Sequence, residues 1–514
     1  MINNLTDIEK RFKVYIYECR WALVVFVALL IFTYGSSMFN FSMNVDEERS
    51  WMLYSTYKEF AGLAIRDGRF GLVALAWLTM TTSAFPYWPD ILMVVFLLVF
   101  CVLVGYVMWR KGIKSSYLLL IAFALFLTYP SHSYMMAFSY MMPSIVLCYS
   151  LNLFAALFIN EWINEKRFSM IKLFFSVAFL TFSMSTYQSM TLCFVLTVIL
   201  INLDVIEKRS KFTDILFMAV KCVLVILLAY LVYRGVNGIL EKYYATRSLV
   251  DSRLGWGKDT IPATVKKTLS YMYEVLIGKA IYGGAAAGIS LVLAMLCGIY
   301  RAIKIKRLDW FFLMPLTMVV ISFAQNIALG AGLPVRTMQS IPLLILCLWA
   351  YMAIALHNLP TPHTHINTKR IALMVCVTLL LVQIQAVNRL TYTSIYRYER
   401  EMELITKIAL RIEKITQSRI WDKPIVFLGQ YPIPTNNKQI IEAETISGSA
   451  FCWDSESFQV RKHLYFSFLG YPYPLPDGEL IDDAHERGID MPLWPNERSV
   501  REFDEYIIVR LGIE

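Results

Sequence analysis

The chain has 514 residues, of which 57% are hydrophobic and 17% charged, and it carries a formal net charge of +9. Long uncharged runs recur from Trp21 to about Asn388, a pattern that no water-soluble domain needs. The positive charge does not mark a nucleic-acid partner, because the basic residues cluster in short loops between the apolar runs.

Each run is about 18 to 22 residues, the length of a helix that crosses roughly 30 Å of hydrocarbon. The expected fold is therefore mainly α, a polytopic membrane protein with the lipid bilayer as its solvent. The first run, after Lys10, Arg11, Lys13 and Arg20, is too long for a signal peptide and lacks a small-x-small cleavage site, so it reads as an uncleaved first span.

Spans are expected at about 21 to 40, 89 to 109, 117 to 136, 138 to 159, 169 to 187, 189 to 206, 214 to 233, 283 to 300, 310 to 329, 338 to 357 and 371 to 388. That makes about eleven. The basic loops Arg110 to Lys114, Lys166 to Lys172, Lys208 to Lys211, Arg301 to Arg307 and Lys369 to Arg370 alternate with uncharged turns. The positive-inside rule then places residues 1–20 in the cytoplasm and everything after Asn388 outside.

Phe70 to Phe85 is omitted from the spans, because counting it would invert every later loop. Closed by Pro86 and Pro89, it suits an interfacial or re-entrant helix. Three outer segments, 41–88, 234–282 and 389–514, are long enough to build a site on one face. In the last, Ile395, Tyr398, Met402, Ile405, Ala409 and Ile412 recur at helical spacing. Strand-like runs at Ile425 to Leu428 and Tyr506 to Leu511 then predict a small α+β C-terminal domain on the outer side.

Eight of the nine cysteines lie in or beside apolar spans, and Cys452 alone falls in the outer domain. Neither a disulfide framework nor a structural zinc is expected.

The residues that can carry chemistry begin directly after the first span, with Asn44-Val-Asp-Glu-Glu-Arg49. A carboxylate at the headgroup level can take a proton from a sugar hydroxyl as general base. The same spacing also makes a capping box, with Asn44 as N-cap and Glu47 three residues on. If Glu47 is held by its cap bond, Asp46 is the freer carboxylate and the first choice, with Glu47 the alternative.

Arg66 and Arg69, around the Asp67-Gly68-Arg69 turn, can pair with a phosphate or with ordinary lipid headgroups. Tyr187 and Gln188 can bind sugar hydroxyls or simply cap a span. Trp256, among charges in the 234–282 loop, can stack on a pyranose ring or pack as structure, and the same two readings hold for Trp453 with Asp454. His132 reads as a polar turn residue, and His363 and His365 fall in a cytoplasmic loop.

These residues resemble the bacterial and phage O-antigen glucosyltransferases of the GtrII type, within the GT-C class of membrane glycosyltransferases. The resemblance rests on the acids Asp46 and Glu47, the Asp67-Gly68-Arg69 turn, Ser185-Thr-Tyr-Gln188, Arg336 with Pro342, Lys423-Pro-Ile-Val-Phe-Leu-Gly429 and Trp453-Asp454. It implies an undecaprenyl-phosphate sugar donor, with glucose as the sugar and O-antigen of lipopolysaccharide as acceptor, at the periplasmic face of the bacterial inner membrane. It also implies an acidic residue as base and arginines, among them Arg336, at the donor phosphate. No cofactor is expected, and the absence of a ligand cluster beyond the acids argues for metal independence. The rival readings are an O-antigen polymerase or ligase, which would not need acids after the first span, and a transporter or flippase, whose coupling residues should lie at the bilayer midplane.

Overall fold

The structure, a computed structural model, describes residues 2–44, 46–48, 57–82, 86–113, 117–165, 168–208, 212–246, 255–306, 309–357, 366–416, 421–433, 437–452 and 458–512. Helix α1 (Ile2–Phe39) is followed by two short helices, α2 (Tyr57–Arg66) and α3 (Phe70–Leu78). The bundle continues with α4 (Trp88–Arg110), α5 (Tyr117–Leu127), α6 (Ser131–Met136), α7 (Met142–Glu165), α8 (Met170–Thr186), α9 (Met190–Lys208) and α10 (Phe212–Tyr243). After α11 (Ile261–Leu276) come α12 (Ala286–Lys304), α13 (Met314–Ser322), α14 (Ala324–Leu329), α15 (Ser340–His357) and α16 (Ile366–Thr416).

Among the described residues, nine helices are long and apolar enough to cross a membrane, where eleven spans were expected. The other two expected spans are also helical but shorter. The run at 169–187 closes at Thr186, and the run at 310–329 breaks at Phe323 into α13 and α14. Gly330, with φ of 63°, then ends α14 in the left-handed conformation that costs glycine least.

Helices α5 and α15 are almost wholly buried and form the centre of the bundle, whereas α10 lies at its edge with most of its apolar surface exposed. Exposed leucine and valine on such a helix need no protein partner when the surrounding solvent is hydrocarbon. The apolar stretch from Phe70 yields only the nine-residue α3, too short to span. Its end carries the exposed Trp77, Leu78 and Met80.

Helix α16 runs unbroken through the expected last span and the amphipathic stretch beyond it. It contains no glycine or proline, and at 1.5 Å per residue its 51 residues extend about 75 Å. Its distal half packs into the C-terminal region, which holds β1 (Ile425–Leu428), α17 (Glu444–Ser447), α18 (Phe458–Phe468), α19 (Gly478–Gly488), β2 (Val500–Glu502) and β3 (Ile507–Arg510). The strands order as β1-β3-β2, with β1 parallel and β2 antiparallel to the central β3.

Ile405, Ala409 and Ile412 of the expected stripe are buried against Phe427, Phe451, Tyr465 and Phe466. Met43, from the segment after α1, is inserted in the same core. The segments expected outside also meet through Arg389, which donates to Tyr282 and, at 3.0 Å, to the Lys438 carbonyl.

Lys462 is an exception inside this core. Its ammonium lies 5.7 Å from the Phe451 ring centre and 6.0 Å from that of Phe427. Burial pushes its pKa down to about 6. A lysine that is neutral in the fold and charged when unfolded lowers stability increasingly as pH falls from its unfolded value toward 6. The expected outcome is that stability falls between pH 9 and pH 6.5 by up to about 1.4 kcal/mol per pH unit from this group. Lys462→Met should flatten that slope and raise the unfolding temperature at pH 7, and identical slopes in thermal unfolding would refute the assignment.

Candidate active site

The acidic turn is held in place from the far end of the chain. Glu47 Oε2 accepts the Asn44 N–H at 2.7 Å, the carboxylate half of the capping box that the spacing predicts. Its other oxygen accepts the Ser139 N–H at 2.7 Å. The Asn44 side chain turns away to accept from Ser394 Oγ at 2.9 Å and Arg397 Nη2 at 3.3 Å. Burial raises the Glu47 carboxyl above its ordinary pKa, against the opposing pull of these N–H donors and of Arg397.

Asp46 and Glu48 share one guanidinium. Arg461 of α18 donates from Nη2 to Asp46 Oδ1 at 2.7 Å and from Nη1 to Glu48 Oε1 at 2.5 Å. Arg461 and Glu48 are buried, while the Asp46 side chain keeps 35% of its surface exposed. Asp46 also has φ of 84°, a backbone conformation that non-glycine residues adopt only where the surroundings impose it. Behind the turn, Arg397 pairs with Glu401 at 2.7 Å, and Glu401 accepts the Ala450 N–H at 2.7 Å.

The arginines arrive on a second turn. Gly68 N–H bonds Ile65 O and Arg69 N–H bonds Ala64 O, a Schellman closure of α2 with Gly68 at φ of 72°. The turn is seated on the end of α8. Gln188 Nε2 donates to Asp67 O at 2.9 Å, and a Cβ on Gly71 would stand 2.3 Å from Ser185 Oγ. Arg69 lies over the Tyr187 ring at 4.9 Å. Its side-chain partners are weak: the Asp67 carboxylate at 3.5 Å and the neutral Met141 Sδ at 3.9 Å, with the buried Nε lacking a hydrogen-bond partner.

Asp46, Arg66, Asp67 and Arg69 line one cleft of about 160 Å³, whose apolar wall includes Phe60, Leu72 and Tyr140. The structure thus brings together the expected base and two of the three expected phosphate arginines, with Tyr187 and Gln188 directly behind them. Glu47 faces elsewhere, into a small polar pocket of about 50 Å³ shared with Asn44, Asp90 and Ser394.

The remaining expected residues stand apart. Arg336 lies over Phe138 at 4.7 Å and 3.6 Å from Glu444, outside the cleft lining. Trp256 donates its indole N–H to Ile327 and Ala328 carbonyls at 3.1 and 3.0 Å and packs under Gly330. Trp453 and Asp454 lie outside the described residues, as do His363 and His365. His132 is buried, with Nε2 3.1 Å from the Phe126 carbonyl.

The family model described as Glucosyl transferase GtrII matches residues 35–356, more than half of the chain and inclusive of the whole cleft. The chain belongs to the GtrII glucosyl transferase family. It is a glycosyltransferase built on a membrane-helix bundle. Comparison with curated proteins and with solved structures returns no match.

Within this family member, sequence reasoning did not single out Arg461, Arg397, Glu401, Tyr140 or Asp90. Arg397 and Glu401 carried a signal: they sit eight and four residues before Ile405, on its buried helix face, where an unpaired charge is costly. Arg461 carried none, since its partners are more than 400 residues away.

Glu48 looks like a spare acid in the sequence, yet it is wholly buried on Arg461. Removing one partner of such a pair typically costs about 3–5 kcal/mol, while replacing both with apolar groups is far milder. Arg461→Leu and Glu48→Leu should each lower the unfolding temperature sharply, and the double variant should recover most of the loss. Activity should stay low in the double variant, because Asp46 no longer has its partner. Additive destabilisation in thermal unfolding would show that the pair is not coupled.

Proposed function

We propose that this glucosyl transferase moves glucose from undecaprenyl phosphate to O-antigen or another lipid-linked glycan. The observation that carries this reading is the placement of an ion-paired but half-open carboxylate, Asp46, in one cleft with the under-partnered guanidinium of Arg69.

The chemistry is a direct displacement at the anomeric carbon. Asp46 removes the proton of the acceptor hydroxyl as its oxygen forms the new glycosidic bond, and the bond to the lipid phosphate breaks with its electrons leaving on the phosphate. Inversion at the anomeric carbon follows from a single displacement. Arg69 and Arg66 supply the charge-assisted hydrogen bonds that hold the phosphate and stabilise it as it departs. Tyr187 and Gln188 act by holding Arg69 and the Asp67 carbonyl in place. Arg336 and Trp256, which do not line the cleft, take no part in this step, and no step is routed through a metal.

The bundle would lie in the bacterial inner membrane, N-terminus in the cytoplasm and C-terminal region in the periplasm. The support is the alternation of basic and uncharged loops. A reporter active only outside the cytoplasm should work after Glu514 and fail in the Arg301 to Arg307 loop, and the reverse result would overturn this orientation.

Asp46→Asn should fold, insert and lose about 100-fold to 10,000-fold in transfer rate, since an amide cannot take the hydroxyl proton. Glucosyl transfer from undecaprenyl-phosphate glucose to host lipopolysaccharide, followed by mass spectrometry of the glycan, is the measurement. Near-normal activity in Asp46→Asn would sink the general-base assignment.

A further inference from the structure

A second groove lies about 120° around the same stretch of α16, and nothing in the transfer chemistry uses it. Its floor is formed by the buried Leu404, Ile433 and Trp494. Tyr396 and Tyr431 form its sides. Arg400, Glu403 and Lys407 form its rim, spaced three and four residues apart so that their heads share one helix face. The groove encloses about 240 Å³, room for one sugar ring but not for a folded peptide element.

The walls are tied down. Tyr431 donates its backbone N–H to Phe451 O at 3.1 Å, and Arg411 covers Trp494 at 4.3 Å while donating to the Pro495 and Asn496 carbonyls at 3.0 and 2.9 Å. At the rim, Glu403 accepts from Arg400 and Lys407, both at 2.6 Å, and Arg400 lies 5.1 Å from the Tyr396 ring centre. Apolar rings beside solvated donors and a carboxylate suit a ligand with a hydrophobic C–H face and an edge of hydroxyls, each able to donate to Glu403 and to accept from Arg400 or Lys407.

We infer that this groove is a carbohydrate subsite that holds a sugar of the acceptor chain remote from the one being modified. The inference rests on the transfer reading above for the word acceptor, but its chemistry stands on the groove itself. Ser394, Arg397 and Glu401 of the same helix face the Asn44 turn or its support, so no more than the helix diameter, about 10–12 Å with side chains, separates the two faces. A glycan a few sugars long spans that. A lipid headgroup fits worse: Lys407 lies 19 residues beyond Asn388, about 28 Å along a continuous helix from the end of the apolar run.

The test uses full-length protein in lipid nanodiscs and O-polysaccharide fragments released from host lipopolysaccharide, sorted by length. Tyr396→Ala, Tyr431→Ala and Glu403→Gln should raise KM for long fragments by about tenfold each. They should leave kcat, the KM for the lipid-linked donor and the KM for the shortest fragment unchanged. Saturation-transfer NMR should show long-fragment protons in contact with wild type and with Asp46→Asn, and a weakened contact, beyond that of the shortest fragment, in Tyr396→Ala. This binding readout separates the two ideas: fragments that bind in the groove but are never glucosylated by wild type would defeat the acceptor assignment alone. Equal KM effects on short and long fragments, or binding unaffected by all three groove substitutions, would overturn the subsite.

Discussion

The guanidinium of Arg461, wedged between Asp46 and Glu48, is the constraint on which the rest of the cleft depends. Three consecutive acids on one turn repel each other, and Glu47 and Glu48 are taken out of water as well. The chain tolerates this only because each acid has different relief: two backbone N–H donors for Glu47, a buried ion pair for Glu48 and a half-solvated one for Asp46. Neither ion pair exists until the C-terminal region has folded onto the bundle, whereas both donors to Glu47 come from Asn44 and Ser139. The acidic turn is therefore completed by a segment beyond the stretch that the family match covers.

The second anchor is steric rather than electrostatic. Glycine at 68 permits the left-handed closure of α2, and glycine at 71 lets α3 lie directly against the Ser185 and Thr186 hydroxyls. A side chain at either position would lift the turn off the bundle, and Arg69 would leave the Tyr187 ring. Rigid packing below and a salt bridge above thus define from two sides the cleft that cation and carboxylate both line.

Much of this was legible from sequence, and the limits have physical causes. Hydrophobic run length located the helices, because a bilayer imposes that length on every span; it could not foresee the break at Phe323, which depends on packing around α13 and α14. The strands at 425 and 507 were visible as short β-branched runs, while β2, three residues long with two of them exposed, leaves no pattern to read. The expectation that Asn44 and Glu47 form a capping box described half of what is present: Glu47 bonds the Asn44 N–H, but the Asn44 side chain serves Arg397 and Ser394 instead. Local spacing predicts local bonds, and Arg461 is the counterexample that spacing cannot reach. Trp256 left two readings open, stacking platform or structural ring, because aromatics among charges look alike in sequence whether they face a ligand or a carbonyl; its indole N–H is bonded to two carbonyls.

Helix α16 explains how such distant parts can be aligned to within hydrogen-bonding tolerance. Sequence reading divides it at Asn388 into a span and a separate amphipathic helix, since its composition changes there. Composition does not break a helix, however; glycine, proline or an uncapped end does, and none occurs between Ile366 and Thr416. Ion pairs at i,i+3 and i,i+4, among Arg397, Glu401, Arg400, Glu403 and Lys407, support the stretch that leaves the apolar core. A flexible joint at Asn388 would let the C-terminal region swing, and a swing of a few degrees over that lever would carry Arg461 out of reach of Asp46. Continuity of the helix, together with Met43 buried in the C-terminal core, makes the bundle and the C-terminal region one mechanical body around the acidic turn.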